Sequence, residues 1–301
     1  MKNVLSYYYN LIPATIHQVN KKYRCYVENE EYILTQYDYS LEKLNDYYNL
    51  SVYLLTLQVP CHEVILNNNN SILTYINNQP YILFKIHSLD TKAYFQDVAS
   101  FSNIFIDYTK YKSLICDNWH KMWSKKIDYF EYQIGHIGKK FSIIRDSFNY
   151  FVGLAENSIS FLSEFGNYDD NLVLCHKRIK FNQNMKDLYN PLNFIFDSKV
   201  RDIAEYIKNK FFYDQYNVQE FINDISICNL NEKQFFLLYG RLLFPSYYFD
   251  KYENIISGNS EEKSLDKILK KTREYIIFLK NVWLEINKYY KLPEIEWIIK
   301  M

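Results

Sequence analysis

The sequence predicts an α+β protein with a small, strand-rich N-terminal lobe and a larger helical C-terminal lobe. β-branched and aromatic residues occur in short runs separated by polar turns as far as residue 86, which is typical of strands. From about Lys92 onward, apolar residues recur at helical spacing instead. The boundary between the two predicted lobes therefore lies near residue 90, giving lobes of residues 1–90 and 91–301.

The N-terminal lobe is predicted to contain two strands, one helix and then three further strands. The first two strands are separated by Glu28-Asn29-Glu30, a polar turn that predicts a hairpin although it lacks glycine. Capping residues follow, apolar residues then repeat at helical spacing, and Pro60 ends the pattern. The predicted strands are 22–27, 31–37, 64–66, 72–76 and 81–86, and the helix covers about 41–55.

The C-terminal lobe is predicted to be helical apart from one stretch, residues 172–197. Apolar stripes at a spacing of three and four residues define the helices on either side of it. The predicted helices are 115–134, 141–165, 200–212, 232–239 and 264–290.

The composition excludes several classes of function. Lys+Arg and Asp+Glu are equal at 35 each, so no net charge favours a nucleic-acid partner. Since no run approaches about 18 apolar residues, no membrane insertion is expected. The five cysteines have neither metal-ligand nor redox-motif spacing and predict free thiols in a reducing, cytoplasmic compartment.

The most informative stretch contains two short apolar runs that each end in a polar residue. The first run ends at His176, a polar loop follows, the second run ends at Asp197, and a helix then begins. This order resembles the catalytic centre of the aminoglycoside/choline-kinase branch of the protein-kinase-like fold. That family has the pattern His-Gly-Asp-x-x-x-x-Asn, then a strand ending in Ile-Asp. The resemblance places the family's His on His176, its base Asp on Arg178, its metal-binding Asn on Gln183 and its metal-binding Asp on Asp197.

Most of the chemistry that the resemblance implies is missing. Arg178 cannot accept a proton because a guanidinium stays charged at any ordinary pH. The loop expected to cover the nucleotide phosphates, 16–21, contains no glycine, and the strand expected to carry a lysine, 32–37, has none. The following helix offers Glu42, which more simply reads as a solvated acid in a first turn. The degenerate positions therefore predict an inactive, kinase-like protein without a cofactor.

One acid remains at a metal-competent position, and it has a structural interpretation as well. Asp197 either binds a metal ion or caps the helix at 200–212, and capping is the favoured interpretation. An active enzyme, the alternative, would use Asp197 with Mg-ATP and an unrecognised base such as Asp187 or Asp202.

Three further residues have structural interpretations. His176 is expected to support its loop through hydrogen bonds, and Cys175 beside it is not a catalytic partner because adjacent strand residues face opposite ways. The pair Arg201 and Asp202 is expected to provide a buried ion pair that joins the second strand's loop to the helices. Arg241 is either an acid-binding partner of this pair or exposed.

Several phrases give a closer resemblance, to the spore-coat-associated kinase-like proteins of the CotS/YutH type from endospore-forming bacteria. These phrases lie at 151–159, 174–178, 190–206, 239–249 and 292–297. The resemblance implies a binding or scaffold protein with other spore-coat or sporulation proteins as partners, made in the cytoplasm and deposited on the spore coat. Two alternatives stay open: a divergent small-molecule phosphotransferase, and an α+β protein unrelated to kinases.

Overall fold

A computed structural model describes residues 1–19, 21–116, 118–137, 140–164 and 171–300. The chain folds into two compact units that each draw on several segments. The first unit contains Met1–Ala93, Asp107–Ile115 and Asn182–Ile195, and the second contains Tyr94–Ile106, Cys116–Phe181 and Phe196–Met301.

The strands are β1 (Ile16–Val19), β2 (Lys22–Val27), β3 (Glu30–Gln36), β4 (Glu63–Ile65), β5 (Thr74–Ile76), β6 (Gln79–Ile86), β7 (Val173–His176) and β8 (Phe194–Asp197). The helices are α1 (Lys2–Tyr9), α2 (Leu41–Thr56), α3 (Phe95–Phe101), α4 (Trp119–Ile137), α5 (Ser142–Ser163), α6 (Met185–Leu188), α7 (Val200–Tyr213), α8 (Val218–Ser226), α9 (Glu232–Leu243), α10 (Ser246–Ile256), α11 (Asp266–Ile286) and α12 (Glu296–Ile299).

The first unit is built on an antiparallel sheet in the order β1-β2-β3-β6-β4, with β5 also paired to β6. Alternate residues of β2, β3 and β6 point to one face and pack with α1 in a core that includes Leu5, Cys25, Leu34 and Leu83. Helix α2 begins after Ser40, whose hydroxyl accepts a hydrogen bond from the backbone N–H of Lys43. The predicted succession of two strands, a helix and three strands is thus present, with an additional strand, β1, at one edge.

The hairpins of this sheet turn without glycine. Glu28 and Asn29, between β2 and β3, have φ of 50° and 67°, and Asn77 and Asn78, between β5 and β6, have 49° and 62°. Two consecutive residues with positive φ match the twist of antiparallel strands, and asparagine tolerates this conformation better than most side chains. The predicted hairpin at 28–30 is therefore confirmed, and asparagine takes the part that glycine usually has.

The second unit is helical around an aromatic core. Parallel ring pairs recur through it: Phe151 stacks on Tyr248 and Trp123 stacks on Phe244, each with ring centroids 3.9 Å apart. The buried Tyr275 donates a hydrogen bond to the carbonyl oxygen of Leu242, at 2.8 Å. A buried tyrosine thus supplies both packing area and a hydrogen-bond partner for a buried polar atom. Many of the chain's tyrosines lie in the core for this reason.

The helices predicted in the second unit are present, but the structure contains further helices that were not predicted. The predicted helices at 141–165 and 200–212 correspond to α5 and α7, although Phe165 lies outside the described residues. The helix predicted at 232–239 continues to Leu243, and α1, α3, α8 and α10 were not predicted. These four are short and rich in Tyr, Phe and Asn, which have weak helix propensity. Tertiary packing and caps such as Asn217, which accepts from the N–H groups of Gln219 and Glu220, stabilise them instead.

Gly240 allows α9 to approach α5 closely. A Cβ atom at Gly240 would lie 2.5 Å from Cδ2 and 2.7 Å from Cγ of Leu162, and the hydroxyl of Ser158 donates to the Gly240 carbonyl oxygen at 2.6 Å. We expect Gly240→Ala to lower the free energy of unfolding by about 1–3 kcal/mol, because overpacking outweighs the gain in helix propensity. Gly153→Ala is the matched control: that glycine is also helical, but nothing lies within 4 Å of its Cβ position. Urea unfolding should show a gain of up to about 1 kcal/mol for the control; equal effects of the two substitutions would contradict this assignment.

Candidate functional site

In the second unit, the position that the resemblance assigns to the family's histidine is a structural contact. His176 ends β7 and is buried; its Nδ1 lies 2.6 Å from Oδ2 of Asp202, and its backbone N–H donates to both oxygens of that carboxylate at 3.1 Å. The ring of Phe101 packs edge-on against the imidazole. Asp202 therefore holds His176 at its ring and at its backbone, which confirms the predicted supporting role and leaves Asp202 unsuited to be a base.

The carboxylate of Asp197, at the end of β8, accepts hydrogen bonds from other groups of the protein. Its Oδ2 accepts from the indole Nε1 of Trp119 at 2.9 Å and from Nη1 of Arg201, and its Oδ1 accepts from the backbone N–H of Ser198 at 2.7 Å. The residue is only 2% exposed. The favoured prediction that Asp197 caps the following helix is wrong, because the residue at the N-cap of α7 is Lys199 and no side chain caps the helix.

Arg201 provides the charge that Asp197 requires. Besides binding Asp197, its Nε donates to the carbonyl oxygen of His176 at 3.0 Å, and its Nη1 lies 3.4 Å from Sγ of Cys116. Burial opposes its charge, but Asp197 raises the pKa of the guanidinium above its ordinary value. Arg201 thus forms a buried ion pair, but its partner is Asp197 and not the neighbouring Asp202, which binds His176. The pair joins the end of β8 to the first turn of α7.

This arrangement does not fit a magnesium ion at Asp197. A metal ion bound there would be placed next to the buried Arg201 guanidinium and would have to displace it. Among the residues that the structure describes, no group of three or more His, Cys, Asp or Glu side chains could hold a metal ion. The carboxylate to which the resemblance assigns a metal ion is therefore paired with an internal cation.

Arg178, to which the resemblance assigns the position of the base, does not contact Asp197 or Arg201 among the contacts described. Its side chain is 58% exposed, and its Nη2 forms an ion pair with Oδ1 of Asp250 on α10 at 3.1 Å. It contributes positive charge where the family has a general base. The neighbouring Cys175 is buried, its thiol lies 3.5 Å from the carbonyl oxygen of Ser198, and burial raises the pKa of that thiol well above its ordinary value. It is therefore not poised to react as a thiolate.

Gln183 belongs to the first unit. It is buried, and its carbonyl oxygen accepts a hydrogen bond from the backbone N–H of Ala93 at 2.9 Å. Three residues further on, Lys186 is also buried and binds Glu31 at 2.7 Å and Asp90 at 3.0 Å. Nothing in the sequence indicated Lys186, because its partners are some 155 and 96 positions away in the chain.

The first unit has a cavity of about 230 Å³ on this side of its sheet, lined by residues that include Arg24, Thr35, His62 and Lys186. Its size is below the ~300–1,000 Å³ of most ligand pockets. Arg24 binds Glu31 at 2.9 Å, and Lys186 is paired as described. Burial lowers the pKa of His62 to about 3, so its ring carries no charge.

Glu42 is exposed in the first turn of α2, as predicted.

A second buried charge cluster lies in the second unit and was missed in the sequence. Oε1 of Glu205 on α7 binds Nζ of Lys208 at 2.9 Å and the guanidinium of Arg241 at 3.0 Å, and Ser246 donates to its Oε2 at 2.7 Å. The Arg241 guanidinium also lies 4.3 Å from the ring of Trp119. Although burial alone would raise it, the two cations hold the pKa of Glu205 well below its ordinary value. Arg241, for which the sequence left two interpretations open, is buried and binds Glu205.

No helix among the described residues is long and apolar enough to cross a membrane. All five cysteines are free thiols.

Comparisons with known proteins identify the family and the fold of this chain. A model of the family described as "Spore coat putative kinase YutH" matches residues 2–282. The endospore coat-associated protein YutH of Bacillus subtilis (strain 168) is 28% identical in an alignment of length 211 that covers 60% of this chain and 61% of that protein. The alignment thus spans less than two thirds of the relative.

Solved structures share the fold at low identity. An aminoglycoside phosphotransferase from Alicyclobacillus acidocaldarius gives a TM-score of 0.67 at 9% identity, covering 96% of both chains. A spectinomycin phosphotransferase bound to AMP gives 0.61 at 14% identity, covering 96% of this chain and 97% of that one. The predicted aminoglycoside phosphotransferase-like, protein-kinase-like fold is confirmed.

Proposed function

This chain belongs to the spore coat YutH family, and we propose that it is a catalytically inactive, kinase-like protein that binds partner proteins during assembly of the spore coat. The observation that carries this proposal is the set of contacts around Asp197. An indole N–H, a backbone N–H and the guanidinium of Arg201 occupy the carboxylate that would have to hold a metal ion. Phosphoryl transfer depends on metal ions to neutralise phosphate charge.

Other features support the same proposal. Arg178 replaces the base with a permanent cation that already binds Asp250. The β1–β2 segment contains no glycine that would let backbone N–H groups approach phosphate oxygens, although Asn20 within it lies outside the described residues. A fold that keeps its packing while losing its catalytic groups is suited to binding. Its proposed partners are other spore-coat or sporulation proteins, because the Bacillus subtilis relative is coat-associated.

The alternative function is a divergent phosphotransferase that uses Asp197, a metal ion and ATP. The solved structures favour it in one respect, because their printed names are those of phosphotransferases and kinases. Of the two acids considered as its base, Asp202 is occupied by His176, whereas Asp187 is exposed beside the first-unit cavity. Asp187 is therefore the residue on which that alternative depends.

Nucleotide binding separates the two functions. We expect ATP, ADP and GTP at about 5 mM, with magnesium or manganese, to leave the melting temperature unchanged, because a ligand must bind the native state to stabilise it. A spectinomycin phosphotransferase, which has been solved with AMP, is the positive control. A metal-dependent rise in melting temperature that Asp197→Asn abolishes would contradict the structural assignment of Asp197 and favour the phosphotransferase alternative.

The cellular role has its own test. We expect spores of a deletion strain to have an altered set of coat proteins, and expression of Asp187→Asn to restore the normal set, because that acid has no catalytic part in a binding protein. Normal coat composition in the deletion strain, or failure of Asp187→Asn to restore it when the variant accumulates normally, would contradict a non-catalytic coat role.

A further inference from the structure

The second unit contains a larger cavity, of about 550 Å³. Of the four positions that the resemblance to kinases assigns, Arg178 alone is part of its lining. Its volume is within the ~300–1,000 Å³ typical of ligand sites. One part of its lining is apolar or aromatic and includes Phe181, Tyr213 and Tyr247. Another part is basic and consists of Lys177, Arg178, Lys180 and Lys251.

The acids of this cavity are each matched by a cation. Asp250 binds Arg178 at 3.1 Å, and Glu253 binds Lys126 at 3.0 Å. Glu205 binds two buried cations, as described above. Each of the three acids of the lining thus has a cationic partner, and the lining contains four basic residues, so its basic residues outnumber its acidic ones.

The buried cluster under the cavity adds to this excess. Lys208 is fully buried and Arg241 is 4% exposed, and they share the single carboxylate of Glu205, which lines the cavity. Nη1 of Arg241 has no hydrogen-bond acceptor among the described residues. Burial and the nearby Arg241 lower the pKa of Lys208 to about 8 despite Glu205. A buried group with more positive than negative charge is stabilised by an anion close by, since the local dielectric constant is low.

We propose that this cavity binds an acidic peptide segment of a partner protein, with carboxylates near Lys180 and Lys251 and an apolar side chain against Phe181 and Tyr213. The basic residues come from two separate chain segments, 177–180 and α10, so a ligand with more than one acidic group can contact both. The aromatic lining favours a peptide over a small, fully hydrated anion. This inference rests on the proposed partner-binding function and names the chemistry of the partner.

The test is a fluorescence anisotropy titration of the full chain with a labelled hexapeptide, Glu-Tyr-Glu-Glu-Tyr-Glu. We expect the Gln-Tyr-Gln-Gln-Tyr-Gln peptide to bind at least about tenfold more weakly, and Lys180→Glu and Lys251→Glu each to weaken binding of the acidic peptide about tenfold. Lys125→Glu is the matched control, because Lys125 is exposed on α4 and is not part of the cavity lining. It should change binding by no more than about twofold, since an exposed charge that is distant from the ligand is screened.

Three outcomes would overturn the inference. They are equal binding of the two peptides, equal loss in Lys180→Glu and Lys125→Glu, and binding of citrate or inorganic phosphate without binding of the peptide. Circular dichroism of each variant separates loss of binding from loss of folding. The nucleotide experiment is read independently: metal-dependent ATP binding that requires Asp197 would favour the phosphotransferase alternative, whereas a chain that binds neither nucleotide nor peptide would contradict only this assignment of the cavity.

Discussion

Raising the pH above about 10 should unfold this protein cooperatively, because its buried tyrosines cannot ionise in the folded state. The pKa is raised for sixteen tyrosines, mainly by burial. Burial raises the pKa of Tyr206 and of Tyr248 to about 12 from an ordinary value of 10.0, and both are almost inaccessible. Each such hydroxyl stays protonated in the folded protein at a pH where the unfolded chain has lost the proton.

The sign of the pH dependence follows from this difference. A folded pKa above the unfolded value stabilises the fold fully below pH 10, and that stability is lost as the pH rises towards the folded pKa. One pH unit above the unfolded pKa, each fully buried tyrosine removes about 1.4 kcal/mol. The lowered pKa of Lys208 acts in the opposite direction between about pH 8 and 10.5, but it is a single group. At about pH 11, the buried tyrosines together therefore remove stability of the same order as the ~5–15 kcal/mol of an ordinary domain.

Absorbance of tyrosinate and far-ultraviolet circular dichroism, followed together, test this prediction. Both should change in one cooperative step, and Tyr247→Phe should raise the free energy of unfolding at about pH 11 by about 1 kcal/mol. The hydroxyl of Tyr247 is buried and makes no hydrogen bond among the described residues, so its removal leaves no other group unpaired. Tyr7→Phe is the control, because Tyr7 is 75% exposed. Gradual ionisation of the tyrosines near pH 10 without loss of helix signal would contradict the prediction.

Removing Arg201 should strongly destabilise the folded protein. We expect Arg201→Leu to lower the free energy of unfolding by about 3–5 kcal/mol, because it leaves the carboxylate of Asp197 buried without its countercharge. The carbonyl oxygen of His176 also loses a donor. Arg178→Leu is the matched control: this arginine is 58% exposed, and its pair with Asp250 should contribute no more than about 1 kcal/mol.

Urea unfolding monitored by circular dichroism measures both variants. Asp197→Leu/Arg201→Leu should recover a substantial part of the stability lost in Arg201→Leu, because replacing both members of a buried ion pair leaves no unpaired charge. The indole N–H of Trp119 then lacks its acceptor, so recovery should be incomplete. Equal losses in Arg201→Leu and Arg178→Leu would show that the ion pair does not have the structural importance assigned to it.

The sequence by itself determined the type and order of the principal elements. Strand-rich runs and polar turns were enough to predict the sheet of the first unit, because alternation along a strand and turn chemistry are local properties. The same holds for α5 and α7, which have long apolar stripes. The short helices α8 and α10 were missed. Asn217 and Glu220 form a capping box at the start of α8, whereas α10 has no side-chain cap and depends on the burial of residues such as Tyr248 and Phe249.

Local sequence also showed that positions which the resemblance assigns to catalytic groups hold other residue types. Arg178 excludes a base by its chemistry alone, wherever it lies. Burial and partner choice, in contrast, depend on contacts between distant parts of the chain. Only the tertiary structure decided that Asp197 binds Trp119 and Arg201 instead of capping α7. It also decided that Arg241 joins Glu205 and Lys208 in a buried cluster, because those residues meet only where α9 packs on α7.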